Sequence, residues 1–289
     1  PAGLSYATTA AKRGHNVTLI EKSNSIGGQF NMAKKIPGKE EFYETLRYFE
    51  VMLKKYNVQI HLNTIFEPTM AKKYDKVILA TGIIPRKPKI IGIDHPKVVS
   101  YIDVLNERVK IGSKVALIGA GGIGFDVAEY LSHKGDSSSL KTKLFMEEWG
   151  VDMNFSSRGG IHKVKSKLPE TKRQIYLLQR KSGKVGASLG KTTGWIHRFS
   201  LRNKDVKMIN SVKYNKIDDN GLNYFKNDKE FILDVDHIVI CAGQLSNNKI
   251  FDSCRDQNPN TEIIGGAFHA TEIDAKKAID QAVRSAAKV

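Results

Sequence analysis

The chain has 289 residues, enough for two domains of ordinary size. Its 40% hydrophobic and 26% charged content is that of a globular protein, and no apolar run approaches the roughly 18 residues of a membrane span. The net charge of +16 suits anionic ligands, but the lysines are spread through almost every segment without aromatic interleaving, which argues against nucleic acid as partner; Cys241 and Cys254 are too few for a disulfide framework or a four-cysteine cluster and read as plain thiols.

In chain order, residues 2–14 carry small and apolar side chains at helical spacing and stop at Gly14, a natural helix end. The run NVTLIE (16–21) then reads as a buried strand. A helix feeding a strand that closes on an acidic residue is the second half of a βαβ unit, so a strand and a glycine-rich turn are expected before Pro1 and missing from this chain. Nothing at this end has the layout of a signal peptide, and the expected location is the cytoplasm. Residues 39–57 place Phe42, Leu46, Phe49 and Leu53 on one stripe of an amphipathic helix. Strands VQIHLN (58–63) and KVILATG (76–82) follow.

A second nucleotide-binding unit begins at the strand Lys114–Ile118, which runs into the turn GAGGIG (119–124) and a helix from about Phe125 to His133. Residues 134–172 are polar and weakly periodic and read as a surface insertion. The strand QIYLLQ (174–179) resumes the sheet, a meander runs through 206–243, and the segment from TEIIGG (261–266) onward reads as a strand and a final helix.

The glycines of that turn carry the clearest chemistry. Gly119, Gly121 and Gly124 suit a tight turn, a close backbone approach to a pyrophosphate and close helix packing; Gly122 lies in the same turn, and the N-terminus of the helix that follows offers free N–H groups to the phosphates. The next strand ends Gln179-Arg180-Lys181, and cations at that point favour a 2′-phosphate, hence NADPH over NADH. Lys191, His197 and Arg198 add a further basic group, and His197 is the one histidine expected near a ligand. In the other unit Glu21 stands where a carboxylate would hold an adenosine ribose, beside the Gly27-Gly28-Gln29 loop. Ala80-Thr81-Gly82 suits a turn packed beside a second cofactor, Gly265-Gly266 would put N–H groups near a second pyrophosphate or a flavin, and Gly3 lies in the first turn of the opening helix. No CxxC, HExxH or GxSxG is present to suggest a redox dithiol, a metal or a hydrolase nucleophile.

The run from Ile26 through Phe49, together with GIDHPKVVSYIDVL (92–105), GGIGFDVAEYLS (121–132), QIYLLQRK (174–181), LGKTTGWIHR (189–198), IVICAGQ (238–244) and IDAKKAI (273–279), resembles the bacterial NADPH-dependent 2,4-dienoyl-CoA reductases, in the same order and over nearly the whole chain. The resemblance implies an α/β fold of two Rossmann-like, three-layer domains. An FAD domain (1–95 and 245–289), lacking its first strand, would carry an inserted NADPH domain (96–244). It implies contacts to FAD from Glu21, Gly28 and Gln29 and to NADPH from Gly121, Arg180 and Arg198. It further implies an FMN-containing barrel and a 4Fe-4S cluster elsewhere in the full protein, with the acid/base residues acting on a dienoyl-CoA in that barrel. Two departures stand out. The first glycine-rich turn is not in the chain, and Phe268 follows Gly265-Gly266-Ala267 where the related flavoproteins have an aspartate for the ribityl chain. The alternatives are an amine dehydrogenase-like protein whose second nucleotide fold holds ADP, and a non-catalytic nucleotide-binding module.

Overall fold

The computed structural model of the chain describes residues 1–168 and 171–289. In chain order the elements are α1 (Ala2–Lys12), β1 (Thr18–Ile20), α2 (Phe30–Ala33), α3 (Glu41–Lys55), β2 (Gln59–His61), β3 (Val77–Leu79), β4 (Ile83–Pro85), β5 (Val98–Ser100) and α4 (Tyr101–Leu105). Next come β6 (Lys114–Ile118), α5 (Gly122–Ser132), α6 (Thr142–Glu148), β7 (Gln174–Leu178), α7 (Gly194–Asn203), β8 (Lys207–Ile209), β9 (Lys213–Asp218), β10 (Gly221–Lys226), β11 (Lys229–Leu233) and β12 (His237–Ile240). The last are β13 (Gln244–Ser246), α8 (Phe251–Gln257), β14 (Thr261–Ile263) and α9 (Ala275–Ala286). They form two compact units: Pro1–Lys34, Glu41–Arg86 and Gln244–Val289 make the first, and Lys35–Glu40 with Lys87–Gly243 the second.

The first unit is organised around α1, whose residues are buried on nearly every side because two layers pack on it. Leu4, Ala7 and Ala11 meet Leu46, Phe49 and Leu53 of α3, the stripe expected from sequence. Ala2, Tyr6 and Ala10 meet Ala278, Ala282 and Ala286 of α9. Alanines at i, i+4 and i+8 let these two helix backbones lie close together. Gly14, at φ 98°, carries the chain out of α1 in a conformation that other residues avoid. The strands form three two-stranded ladders: β1 with β2 and β3 with β14, both parallel, and β4 with β13, antiparallel.

The second unit has three layers. Its centre is a parallel sheet in the order β5-β12-β6-β7-β8. Side chains alternate across it. Ala116, Ile118, Leu178, Ile238 and Ile240 pack against Ile217, Leu222 and Tyr224 of the antiparallel β9-β10-β11 meander. Leu177 faces α5, close to Gly124. Val115, Leu117 and Leu177 are all fully buried, and truncating such a leucine typically costs about 2–5 kcal/mol.

The elements differ from the sequence expectation at three places. The helix after the glycine turn starts at Gly122 rather than near Phe125, because Gly122 and Gly124 themselves form its first turn. The stretch 134–172 holds α6 rather than only loop, and Trp149 beyond α6 stacks on Phe199 of α7 with ring centroids 5.5 Å apart; residues 169 and 170 of that stretch lie outside the described residues. Gly265 and Gly266 lie in a short 3-10 turn well before α9, which instead starts at Ala275, capped by the Asp274 carboxylate accepting from Lys277 N.

Candidate nucleotide-binding sites

In the second unit the chain leaves β6 at Gly119 and enters α5 at Gly122. β6 is flanked by β7, which follows it, and by β12, which returns after the meander. This is the point where the strand order reverses, and α/β sheets bind ligands at such a crevice beyond the carboxyl ends of the strands. Gly119, at φ 114°, lies so close to the end of β12 that a Cβ on it would be 2.5 Å from the Cys241 carbonyl oxygen. A Cβ on Gly124 would be 1.9 Å from the Gly119 carbonyl oxygen. At Gly121 and Gly122 a Cβ would meet nothing within 4 Å. Two glycines are therefore demanded by internal packing, while the two between them leave open space in front of the α5 N-terminus. That is the arrangement a pyrophosphate needs: backbone N–H groups, the positive end of a helix and no side chain in the way.

Beyond β7 the loop 179–186 carries the cations. Arg180, Lys181 and Lys184 are exposed. The backbone beneath them is tied down: Gly183 O accepts from Asn210 Nδ2 at 2.7 Å, Lys181 O from Ser211 N at 3.2 Å, and Gly186 O from Arg198 Nη1 at 2.9 Å. Arg198 thus has a structural task of its own, bracing the loop from α7. His197 is exposed on the same helix, and Lys191 lies exposed just before it. The segment read from sequence as a basic group is this helix start, with Gly194 buried against Leu189.

Leu178 O, the last carbonyl of β7, accepts both from Gly119 N at 3.1 Å and from the Tyr214 hydroxyl at 3.3 Å. The glycine turn and the start of the cationic loop are thereby pinned to one atom. Burial holds the Tyr214 phenol well above its usual range, so it remains a neutral donor although Arg180 pulls the other way. Cys241 is buried beside the turn, and burial with the Asp126 carboxylate nearby pushes its thiol up. Asp126 itself is held by Lys39 Nζ, 2.6 and 2.7 Å from its two oxygens. Tyr214, Asn210 and Ser211 were not singled out by motif; an Asn-Ser pair where β8 ends is the signal that marks the turn.

In the first unit, Gly3, Thr81, Gly82 and Gly266 come together. A Cβ on Gly3 would be 3.2 Å from Ala80 Cβ, one on Gly266 would be 2.6 Å from Ile83 Cγ2, and one on Gly265 would be 2.8 Å from Ala2 Cβ. The start of α1, the end of β3 and the turn after β14 thus converge. Asn247 locks the strand-end turn, donating through Nδ2 to Thr81 O at 3.2 Å and through its backbone to Gly82 O at 3.0 Å, while Thr81 Oγ1 donates to Asn247 O. Glu21 follows β1 and accepts from Ser23 N at 2.9 Å, which orients its carboxylate. Gly28, at φ 53° with open space where a Cβ would be, and half-buried Gln29 lie on the loop leading to α2. Among the described residues no three His, Cys, Asp or Glu side chains group to hold a metal. Among the same residues no helix is long and apolar enough to cross a membrane.

Comparison with known proteins agrees with this architecture. The chain is 26% identical over 295 residues to a metal reductase of Desulforamulus reducens, covering 99% of the chain and 42% of that protein. It is 31% identical over 284 residues to a cinnamate reductase of Clostridium sporogenes, covering 92% of the chain and 35% of that protein. It therefore spans less than half the length of these curated relatives. Among solved structures, a 2-naphthoyl-CoA reductase in complex with 2-naphthoyl-CoA superposes with a TM-score of 0.82 at 25% identity, over 100% of the chain and 38% of that protein. Residues 1–273 match the family model described as pyridine nucleotide-disulphide oxidoreductase, and the chain belongs to that family.

Proposed function

We propose that this chain is the part of a larger reductase that takes hydride from NADPH onto FAD, and that the full-length protein reduces a conjugated carbon–carbon double bond of an acyl-CoA, with a 2,4-dienoyl-CoA as the expected substrate. The observation that carries the nucleotide half is the open space at Gly121 and Gly122 in front of α5, with exposed cations on the braced loop beyond the next strand. Gly119 to Gly124 would receive the pyrophosphate, and Arg180 with Lys181 the 2′-phosphate. The first unit would hold FAD: Glu21 toward ribose, Gly3, Gly28, Thr81, Gly82 and Gly266 as close-approach backbone, with Gln29 beside them. The close packing of Gly3 and Gly266, with open space where a Cβ on Gly82 would lie, fits such a cradle. When bound, the two cofactors would supply the hydride chemistry, nicotinamide as donor and flavin as acceptor.

The resemblance to dienoyl-CoA reductases and the likeness to a cinnamate reductase and a 2-naphthoyl-CoA reductase support the substrate class, since all three names describe reduction of conjugated systems. Both cysteines are free and buried, with thiols pushed up by desolvation, so neither is prepared to serve as a thiolate relay. The FMN and 4Fe-4S groups, and the site that takes the dienoyl-CoA, are assigned by the resemblance to other parts of the protein. An ADP-holding amine dehydrogenase fits less well, because a plain ADP gives Arg180 and Lys181 no 2′-phosphate to meet.

The test is an absorption spectrum after FAD addition and gel filtration, followed by anaerobic NADPH titration. Retained flavin that bleaches with NADPH is the expected result. Flavin that stays oxidised under NADPH would remove the hydride-transfer reading, and flavin of the full-length protein that is reduced by an amine, with no NADPH oxidation on adding a dienoyl-CoA, would replace the substrate.

A further inference from the structure

Gln179 is the first residue past β7. At this strand end a carboxylate would accept from ribose hydroxyls, which is how folds of this kind select NADH. The neutral carboxamide here is spent on the loop instead. Its Nε2 donates to Lys181 O at 3.1 Å and its Oε1 accepts from Gly186 N at 3.2 Å. The chemistry of these two partners allows only this orientation of the amide, since a carbonyl cannot donate and an N–H cannot accept. Gln179 O accepts in turn from Val212 N at 3.1 Å, so the residue is anchored at its backbone as well.

We propose that Gln179 is a positioning residue that sets nucleotide choice through the loop: its side chain ties Lys181 to Gly186, holds Arg180, Lys181 and Lys184 at the strand end, and leaves no carboxylate there to receive a 2′-hydroxyl or repel a 2′-phosphate. This rests on the NADPH reading above. Glutamate is nearly isosteric but is acceptor-only. It would keep the Gly186 N–H, face Lys181 O with a second acceptor, open the loop and place a negative charge where the 2′-phosphate is to lie. Alanine removes both bonds and adds no charge, so it isolates the clamp from the charge.

The experiment is calorimetric titration of the intact protein and its Gln179→Ala, Gln179→Glu and Gln179→Asn variants with 2′,5′-ADP and 5′-AMP, with melting curves run alongside. The wild type is expected to favour 2′,5′-ADP. Q179A should lose about tenfold in 2′,5′-ADP affinity with 5′-AMP unchanged, as two hydrogen bonds are lost. Q179E should shrink the preference by about a hundredfold, and Q179N, one methylene short, should fall between wild type and Q179A. A ratio of affinities is insensitive to the fraction folded, and Q179N serves if Q179A melts too low. If Q179A keeps the wild-type preference, or loses both ligands equally, the clamp is wrong and the NADPH reading stands. A wild type that shows no preference removes both.

Discussion

Gly124 lies against Gly119 so closely that a single added methyl would sit 1.9 Å from the Gly119 carbonyl oxygen. Gly121, three residues earlier, has φ −86° and open space around it. The two glycines therefore fail differently when replaced by alanine. Gly124→Ala should lower stability by about 2 kcal/mol or more, since neither backbone can retreat. Gly121→Ala should leave stability within about 0.5 kcal/mol of wild type and weaken NADPH binding at least about tenfold, because its methyl occupies the pyrophosphate approach. Urea titration and calorimetry read the two effects. Undiminished NADPH binding by G121A would move the phosphate site elsewhere.

The cationic loop makes a separate prediction about salt and nucleotide. Arg180→Ala should reduce NADPH affinity by about tenfold to a hundredfold and leave NADH nearly untouched, as a charge-assisted contact to one phosphate is lost. The same substitution should flatten the dependence of NADPH affinity on ionic strength. Equal loss for both nucleotides would place Arg180 outside the 2′-phosphate site.

Lys204 is the most deeply buried cation of the second unit, its side chain 3% exposed, and it pairs with Glu129 of α5. The Ser200 hydroxyl donates to the other oxygen of Glu129 at 3.0 Å. Removing one partner leaves a charge buried alone, so Lys204→Met should destabilise by about 3–5 kcal/mol. Glu129→Leu combined with Lys204→Met should recover most of that loss, because no charge then remains to be desolvated. A double variant no more stable than K204M alone would contradict this account.

At the start of β6 the Asp236 carboxylate accepts from Ser113 N at 2.7 Å, Lys114 N at 2.8 Å and the Ser113 hydroxyl at 3.1 Å. The Lys114 and Ser113 hydrogen bonds hold its pKa below the ordinary 3.8. A depressed folded value means the unfolded chain takes up the proton first. The stability it contributes is present in full above the ordinary value and is lost as pH falls through the depressed one. Asp236→Asn should therefore weaken the fold at neutral pH and flatten the decline of the urea midpoint below about pH 4. An unchanged slope would show that other carboxylates govern the acid limb.

Much of this was legible in the residues. The stripe of Leu46, Phe49 and Leu53 announced α3 because periodicity alone encodes a buried face. The strand Lys114–Ile118 was delimited without error, since a fully buried parallel strand reads as a continuous apolar run. Less legible were α7 and α6. The KTTGWIHR run is rich in polar and basic residues, and its helix depends on Leu201 and Gly194 packing and on the Trp149–Phe199 stack, all of them contacts distant in sequence.

The sequence by itself determined that helices and strands build two α/β units, that a glycine-rich turn opens α5, and that cations rather than a carboxylate follow β7. These are local patterns, and local patterns report backbone freedom, burial and charge. Only the tertiary structure decided which glycines are packed and which are open, because that depends on Cys241 approaching from the end of β12 and on how the turn folds Gly124 back onto Gly119. It also decided that Gln179, Tyr214 and Arg198 brace the site. A side chain's hydrogen-bond partner is set by what the fold brings within 3 Å or so, and no spacing along the chain carries that information.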